Sequence, residues 1–183
     1  MDERDKMLRG ELYDASDPRL VEARIRARRL TQQLNALDPA ELDMRGRLLR
    51  DLLGSVGDGT ALEAPFNCDY GSHIHLGCRV FINMGCVFLD AARITLEDDV
   101  QVGPLVQLLT PDHPRDPDER AAGLECARPI TIGARSWLGG GVIVLPGVEI
   151  GADVIVGAGS VVTKSLPPGV TAVGSPCQVV SAR

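Results

Sequence analysis

The chain has 183 residues, enough for one main domain with a substantial core. Its formal net charge of -6 argues against nucleic acid as the main partner, because phosphate binding requires a basic surface. Aromatic residues make up only 3% of the chain, whereas glycine, with 20 residues, is plentiful. This composition favours short, stacked β segments with tight corners over a helix–sheet sandwich.

The cysteines and the N-terminal sequence both predict a cytoplasmic protein. The five cysteines are odd in number and include no C-x-x-C pair, which indicates reduced thiols rather than a disulfide framework or a zinc site. The N-terminus is charged, with no apolar signal core. No run approaches the roughly 18 apolar residues of a membrane span. We therefore expect neither secretion nor membrane insertion.

Residues 1–60 are predicted to form a helical N-terminal segment. Asp17 and Pro18 form a typical helix start, with an N-cap followed by proline at the first helical position. Asp38 and Pro39 repeat the pattern, and Glu41 takes the position of a capping-box acid. Apolar residues at roughly helical spacing follow each start, so we expect two helices.

The first of these helices carries a cluster of arginines, namely Arg24, Arg26, Arg28 and Arg29. Glu22 and other nearby acids neutralise much of this charge. We interpret the cluster as the solvated face of the helix, with an anion site as the alternative.

After Ala61 the period of the apolar residues changes to six. The positions in this period are Leu76, Ile82 and Phe88, then Leu96, Val102 and Leu108 with an offset of two, then Ile132, Leu138, Val144, Ile150, Val156 and Val162. A fixed period of six predicts a β-helix solenoid over residues 61–183. Each aliphatic side chain should point inward and stack on the next coil, and the glycine that often follows it relieves the corner.

Residues 109–129 interrupt this period. The positions that should be aliphatic are Pro114, Arg120 and Cys126, so a loop leaves the solenoid here. A long polar excursion from a rigid scaffold is a common location for functional residues.

Nine short motifs spread over the chain carry a family resemblance. They are GELY (10–13), CDYG (68–71), VFLD (87–90), DHP (112–114), PITIG (129–133), WLGG (137–140), PG (146–147), VVTK (161–164) and GSP (174–176). With them the sequence resembles the maltose and galactoside O-acetyltransferases of the hexapeptide-repeat acyltransferase family. The resemblance implies a left-handed parallel β-helix, an exception to the usual right-handed crossover. It also implies a homotrimer with active sites between subunits.

The activity that the resemblance implies is transfer of an acetyl group from acetyl-CoA to a hydroxyl of a maltose-, glucose- or galactoside-like sugar, with no metal required. Such a reaction needs a base to remove the hydroxyl proton, and histidine titrates in the suitable range. His113 lies in the excursion loop and matches the family's catalytic position. The family also places Asn83 near the reacting centre, with catalytic and substrate-binding roles. We interpret His73 and His75 as surface or interface residues.

For the acceptor sugar, the resemblance assigns hydrogen-bonding carboxylates to Asp69 and Asp90. The family has a further acceptor-binding acid in the N-terminal segment, at the position of Ala15 in this chain. Asp14 or Asp17 could replace it, although Asp17 is already expected to cap a helix.

For the donor, the resemblance assigns CoA contacts to six residues: Trp137, Gly140, Ala158, Thr163, Lys164 and Gln178. The solenoid pattern points Leu138 inward and Trp137 outward, where a ligand can reach the indole. The N–H of Gly140 is the candidate donor to the reaction's oxyanion. Similar enzymes often have arginine in place of Gln178, so CoA binding is expected to be weaker here.

Two other functions remain open on this fold. A carbonic-anhydrase-like lyase also uses a left-handed β-helix, with three histidines on zinc, and this chain has three histidines. Their spacing does not match that class. A non-catalytic solenoid scaffold is the other alternative, although it would leave the histidine-bearing loop and Trp137 unexplained.

Overall fold

The computed structural model describes residues 2–182, which form a parallel β-helix, as the period of six predicts, with a helical N-terminal segment. The β-helix is left-handed, as the family resemblance implies. The helices are α1 (Glu3–Leu8), α2 (Pro18–Ala36), α3 (Leu42–Leu52) and α4 (Pro117–Ala121). Three strands form a small antiparallel sheet outside the solenoid: β1 (Tyr13–Asp14), β11 (Pro111–Asp112) and β12 (Leu124–Ala127).

The solenoid has three faces, each a mainly parallel sheet. Face one contains β2 (Ser55–Val56), β5 (Ile74–Leu76), β8 (Ile94–Leu96), β13 (Ile130–Ile132) and β16 (Glu149–Ile150). Face two contains β3 (Ala61–Leu62), β6 (Phe81–Ile82), β9 (Gln101–Val102), β14 (Trp137–Leu138), β17 (Ile155–Val156), β19 (Val170–Val173) and β20 (Gln178–Ala182), the last antiparallel. Face three contains β4 (Phe66–Cys68), β7 (Cys86–Leu89), β10 (Gln107–Leu109), β15 (Ile143–Val144) and β18 (Val161–Val162). Since β2 pairs with β5, the first solenoid strand lies within the segment assigned to residues 1–60.

The inward positions predicted from the period of six are confirmed. All of these side chains are at most 3% exposed: Leu76, Ile82, Phe88, Leu96, Val102, Leu108, Ile132, Leu138, Val144, Ile150, Val156 and Val162. Buried serines in the same core are paired across coils. Ser136 Oγ, for example, donates to the carbonyl of Gly151 at 2.8 Å and accepts the N–H of Val154 at 3.0 Å, which satisfies the hydroxyl.

The length of a coil differs between the two ends of the solenoid. Cys86 pairs with Phe66, 20 residues earlier, whereas Ile155 pairs with Trp137, 18 residues earlier. The early coils therefore carry two extra residues, which explains the offset of two in the hexad pattern. The extra residues fall where face three turns into face one. We call this turn, which contains Asp69 and Asp90, the three–one corner.

The first helix start is confirmed and the second is wrong. Asp17 caps α2, and its carboxylate accepts a backbone N–H two residues further on. Asp38 instead accepts the N–H of Ala40 at 2.9 Å and forms a local turn, so α3 begins only after Glu41. A short polar side chain that bonds to its own backbone competes with the helix, and here the turn prevails.

Helix α2 is fixed beside face three by an amide that is paired in both directions. The side chain of Asn35 donates to the carbonyl of Phe66 at 2.8 Å and accepts the N–H of Phe66 at 2.9 Å. Leu34 of α2 is buried in the same apolar cluster as the solenoid core. Polar side chains of α2, among them Arg28 and Gln32, consequently face the edge of the solenoid close to Asp69.

All five cysteines are free thiols, and Cys68, Cys86 and Cys177 are buried. Among the helices of residues 2–182, α2 is the longest with 19 residues, and none is apolar enough over sufficient length to cross a membrane.

The stacked core yields a stability prediction. Leu138 is fully buried and lies in register between Val102 and Val156 of the adjacent coils. Leu138→Ala should lower the free energy of unfolding by about 2–5 kcal/mol, because the cavity cannot close between rigid coils. Urea titration at fixed protein concentration measures this change. Gln101→Ala, an exposed position on the same face, is the control and should change stability by less than about 0.5 kcal/mol; an equal loss would contradict the stacking argument.

Candidate active site

The excursion loop is a hairpin bound to the N-terminal segment. Strand β11 pairs with β12 through Asp112 and Cys126, and β12 pairs with β1 through Glu125 and Tyr13. His113 immediately follows β11, at the base of the hairpin. The small sheet therefore places the histidine-bearing loop and the N-terminal segment next to the three–one corner.

The backbone around His113 is held firmly while its imidazole stays exposed. The N–H of His113 donates to Asp112 Oδ1 at 2.9 Å, and its carbonyl accepts Arg115 Nη1 at 3.1 Å. Asp112 also forms ion pairs with Arg115 at 3.0 Å and Arg128 at 3.1 Å. Burial alone would raise the pKa of Asp112, but the hydrogen bonds from His113 and Arg115 bring it below its ordinary value. Asp112 therefore stays ionised and positions the loop.

A cavity of about 200 Å³ lies between α2, the three–one corner and β12. Its lining residues are Tyr13, Ala15, Arg24, Arg28, Asp69, Tyr70, Ala91 and Glu125. We call it the small cavity. All three parts of the molecule contribute to it: the N-terminal segment, the solenoid and the excursion hairpin.

Asp69 supplies an unused carboxylate to the small cavity. The side chain is partly buried, and no hydrogen bond to its carboxylate oxygens comes from any residue that the structure describes. Burial, followed by the nearby charge of Asp90, raises the pKa of Asp69 to about 6, against the opposing effect of Arg24 and Arg28. Such a carboxylate is ready to accept hydrogen bonds from a ligand.

Asp90 was expected to contact the sugar, and the structure places it differently. It is fully buried, and its carboxylate accepts the backbone N–H groups of Asp69 at 3.1 Å, Tyr70 at 2.8 Å and His73 at 3.2 Å. Burial raises the pKa of Asp90, while the backbone donors favour its ionised form. With no exposed oxygen, Asp90 shapes the corner that presents Asp69 and does not itself reach into the cavity.

The interpretation of the arginines as a solvated face was wrong for Arg24. Its guanidinium donates to the hydroxyl of Tyr70 at 2.7 Å and to the carbonyl of Ala15 at 2.6 Å. Arg28 lines the same cavity one helical turn later. The signal in the sequence was the spacing of four, which puts both guanidiniums on one side of α2.

The sequence did not reveal the second carboxylate in the small cavity, that of Glu125. Its Oε2 accepts the hydroxyl of Tyr13 at 2.8 Å. Ala15 does line the cavity, as its alignment with the family's acid implies. Neither proposed replacement does, since Asp14 is exposed and bonded to Ser16 and Asp17 caps α2. The acid in this region therefore comes from the excursion hairpin.

The residues assigned to the donor lie around a different corner, where face two turns into face three. Trp137 faces outward from face two and is 52% exposed. Gly140 and Ala158 occupy equivalent positions one coil apart, and the N–H of each has no hydrogen-bond acceptor within residues 2–182. Asn83 lies at the same corner two coils earlier than Gly140, and its Oδ1 accepts the N–H of Met84 at 2.8 Å. We call this the two–three corner.

The remaining assigned residues, Thr163, Lys164 and Gln178, are all exposed. The first two follow β18, at the far edge of face three, and Gln178 begins β20. Strand β7 separates Asn83 from the three–one corner. A single chain therefore places the acceptor-side residues and Trp137 at two different corners and does not bring them together.

The other two histidines have partners within the chain. His73 Nδ1 lies 2.7 Å from the carbonyl oxygen of Asp90, and Ser55 Oγ lies 3.1 Å from His75 Nδ1. Burial and then the charge of Arg93 lower the pKa of His75. Over residues 2–182, no three His, Cys, Asp or Glu side chains of one chain form a group that could hold a metal ion.

Comparison with known proteins identifies the family. A model of the maltose acetyltransferase hexapeptide capping motif matches residues 6–57, and a model of the bacterial transferase hexapeptide, six repeats, matches residues 129–164. Nodulation protein L of Rhizobium meliloti is 44% identical over 177 residues, which cover 97% of this chain and 97% of that protein. The chain belongs to the hexapeptide-repeat acetyltransferase family.

Solved structures of this family match over the whole chain. A maltose O-acetyltransferase from Clostridium difficile 630 has a TM-score of 0.98 and 44% identity, covering 100% of this chain and 97% of that one. A galactoside acetyltransferase in complex with coenzyme A has a TM-score of 0.96 and 35% identity, covering 100% and 91%. The helical cap, the solenoid and the excursion hairpin are thus shared with these acetyltransferases.

The raised pKa of Asp69 predicts a pH-dependent stability. The carboxyl group of Asp69 has an ordinary pKa of 3.8, and in the folded protein this pKa is about 6. The folded state therefore loses stability as the pH rises from about 4 to above 6, because the buried carboxyl group must give up its proton. Asp69→Asn removes the titration. Its melting temperature should exceed that of the wild type by several degrees at pH 7.5, and by much less at pH 4.5.

Thermal unfolding of both proteins across this range measures the difference. Asp58→Asn, which removes an exposed charge, is the control. A difference between Asp69→Asn and wild type that does not change with pH would show that Asp69 is not desolvated.

Proposed function

We propose that the protein transfers the acetyl group of acetyl-CoA to a hydroxyl of a sugar, with His113 as general base. The main support is the exposed imidazole of His113 on a fixed hairpin that also lines a polar cavity. This cavity contains the carboxylate of Asp69, which accepts no hydrogen bond from residues 2–182. The family supports the acetyl donor, since a relative that covers the whole chain is a galactoside acetyltransferase in complex with coenzyme A. A zinc lyase or a scaffold would leave these features without a role.

In the proposed mechanism, the imidazole of His113 accepts the proton of the sugar hydroxyl as its oxygen attacks the thioester carbonyl. The tetrahedral oxyanion accepts the N–H of Gly140, which has no partner within the described chain. Collapse of the intermediate breaks the carbon–sulfur bond. The departing CoA thiolate then takes the proton from His113, which restores the neutral base.

The small cavity is the proposed site of the acceptor sugar. The carboxylates of Asp69 and Glu125 accept hydrogen bonds from hydroxyls, and the guanidiniums of Arg24 and Arg28 donate them. Asn83, with its N–H donors, is proposed to lie at the boundary between acceptor and thioester.

The donor site is proposed to follow the two–three corner. Trp137 offers an exposed apolar surface to the pantetheine arm. The N–H groups of Gly140 and Ala158, which have no acceptor among the described residues, line the same path. Thr163, Lys164 and Gln178 are assigned to the nucleotide end. Lys164 supplies a flexible cation there, as phosphate groups require.

Since one chain holds the two halves of the site at different corners, we propose a homotrimer in which each active site lies between subunits. The corner of one subunit that carries Trp137 would then meet the neighbour's corner that carries His113 and Asp69. Five free thiols support a reducing, cytoplasmic location.

The role of His113 has a direct test. His113→Ala should lower kcat by about 10²–10⁴, the usual contribution of a positioned general base, as measured by release of CoA thiol. The melting temperature and acetyl-CoA binding should stay nearly unchanged, because the side chain is exposed and outside the stacked core. His73→Ala and His75→Ala are the controls and should retain most activity. Wild-type turnover by His113→Ala at saturating acceptor would exclude it as the base.

Metal dependence separates this mechanism from a zinc lyase. Thiol release in the presence of a glucosyl or galactosyl acceptor should survive exhaustive chelation, because no step of the proposed mechanism uses a metal. Complete loss of activity that zinc restores would instead indicate shared metal ligation by the histidines.

A further inference from the structure

Residues 2–16, which contain α1 and β1, pack against the excursion hairpin and the three–one corner. We call them the N-terminal strap. Met7 and Tyr13 of the strap are buried, with no more than 1% of their surface exposed. They belong to an apolar cluster that is separate from the solenoid core and that also contains Tyr70 of the corner and Ala127 of the hairpin. The strap therefore contributes to the attachment of the hairpin rather than to the stack of coils.

The hairpin has little apolar core of its own. Between residues 111 and 127, only Pro114 and Ala127 are buried. Strands β11 and β12 pair through two pairs of residues, and so short a two-stranded hairpin is at best marginally stable by itself. The third strand is β1, so that β12 lies between β1 and β11. Because His113 directly follows β11, its position depends on this third strand.

Two contacts join the strap to the hairpin. The hydroxyl of Tyr13 donates to Glu125 Oε2 at 2.8 Å. Burial, followed by the charge of Glu125, raises the pKa of Tyr13, so the hydroxyl keeps its proton and remains a donor. Gly10 has a φ of +72°, and a Cβ at this position would lie 3.0 Å from the carbonyl oxygen of Ala127. A larger residue would strain the turn and push the strap away from β12.

We propose that Tyr13 is a positioning residue for His113. Through Glu125 and the pairing of β1 with β12, it fixes the hairpin so that the imidazole of His113 meets the acceptor hydroxyl. Tyr13 lines the small cavity, but at 1% exposure it offers almost no surface to a ligand there. This inference rests on the proposed function, because it assumes that His113 is the base. A displacement of about 1 Å can lower a rate by about 10², so a contact remote from the reacting atoms can control kcat.

The first experiment asks whether Tyr13 acts through His113. Tyr13→Phe keeps the ring and removes the hydroxyl. It should lower kcat for release of CoA thiol by about tenfold, with the KM values for acetyl-CoA and for a glucosyl or galactosyl acceptor nearly unchanged. In the background of His113→Ala, the same change should lower kcat no further, because the base that Tyr13 positions is absent. Equal losses in the two backgrounds would overturn the proposal and indicate a separate role for Tyr13.

The second experiment observes the hairpin without substrate, by amide hydrogen exchange. In Tyr13→Phe and in Gly10→Ala, the amides of residues 111–127 should exchange about tenfold faster than in the wild type, because the hairpin opens more easily. The amides of the solenoid strands should exchange at the wild-type rate. Unchanged exchange of the hairpin in both variants would overturn the role of the strap.

Thr60→Val is the matched control, because it also removes one hydroxyl with two partners. Thr60 Oγ1 donates to the carbonyl of Gly77 at 2.7 Å and accepts the N–H of Val80 at 3.0 Å, at the turn from face one to face two. This variant should keep the wild-type kcat and the wild-type exchange of the hairpin. A loss of kcat as large as that of Tyr13→Phe would show that kcat follows overall stability, and it too would overturn the proposal.

The two proposals fail in different ways. Normal turnover by Tyr13→Phe would leave the acetyltransferase function intact and remove only the role of Tyr13. Wild-type turnover by His113→Ala, or absence of thiol release with every acceptor tested, would remove the function as proposed and the role of Tyr13 with it.

Discussion

Each coil of the solenoid must return its chain to register with the coil below, since the core consists of one aliphatic side chain stacked on the next. Residues beyond the 18 of a regular coil can therefore leave only at a corner. The two extra residues of the early coils and the whole excursion hairpin leave at the same one, between face three and face one. The register of the core thus concentrates both insertions at one place, where the acceptor side is proposed to lie.

The buried carboxylate of Asp90 stabilises the backbone of the three–one corner. Two extra residues leave backbone N–H groups without the ladder partners that a regular coil supplies, and the Asp90 carboxylate accepts three of them. Asp69 lies next to it, and burial together with the charge of Asp90 raises the pKa of Asp69. Cavity chemistry and folding therefore make opposite demands on Asp69. Its ionised form destabilises the fold, but in that form both carboxylate oxygens accept hydrogen bonds from hydroxyls.

The solenoid, its inward residues and the loop of His113 could be predicted from the sequence, because the period of six is a local pattern. The small cavity could not. Tyr13 meets Glu125 across 112 positions of the chain, and Arg24 meets Tyr70 across 46, through the pairing of β1 with β12 and the docking of α2. The burial of Asp90 likewise depends on the geometry of a corner, so a sequence match alone suggested an exposed ligand. The start of α3 was missed because Asp38 bonds to its own turn.

The two–three corner and the three–one corner differ in how they are built, and the difference corresponds to what each is proposed to bind. The two–three corner follows the strict repeat in its later coils, so the N–H groups of Gly140 and Ala158 lie at equivalent positions one coil apart, and neither has an acceptor within residues 2–182. A pair of backbone donors fixed by the repeat suits an invariant, extended ligand such as CoA. The three–one corner is formed from side chains on inserted residues, on α2 and on the hairpin. Those side chains can be replaced without disturbing the core register, so the choice of acceptor can change while the donor site and the fold stay the same.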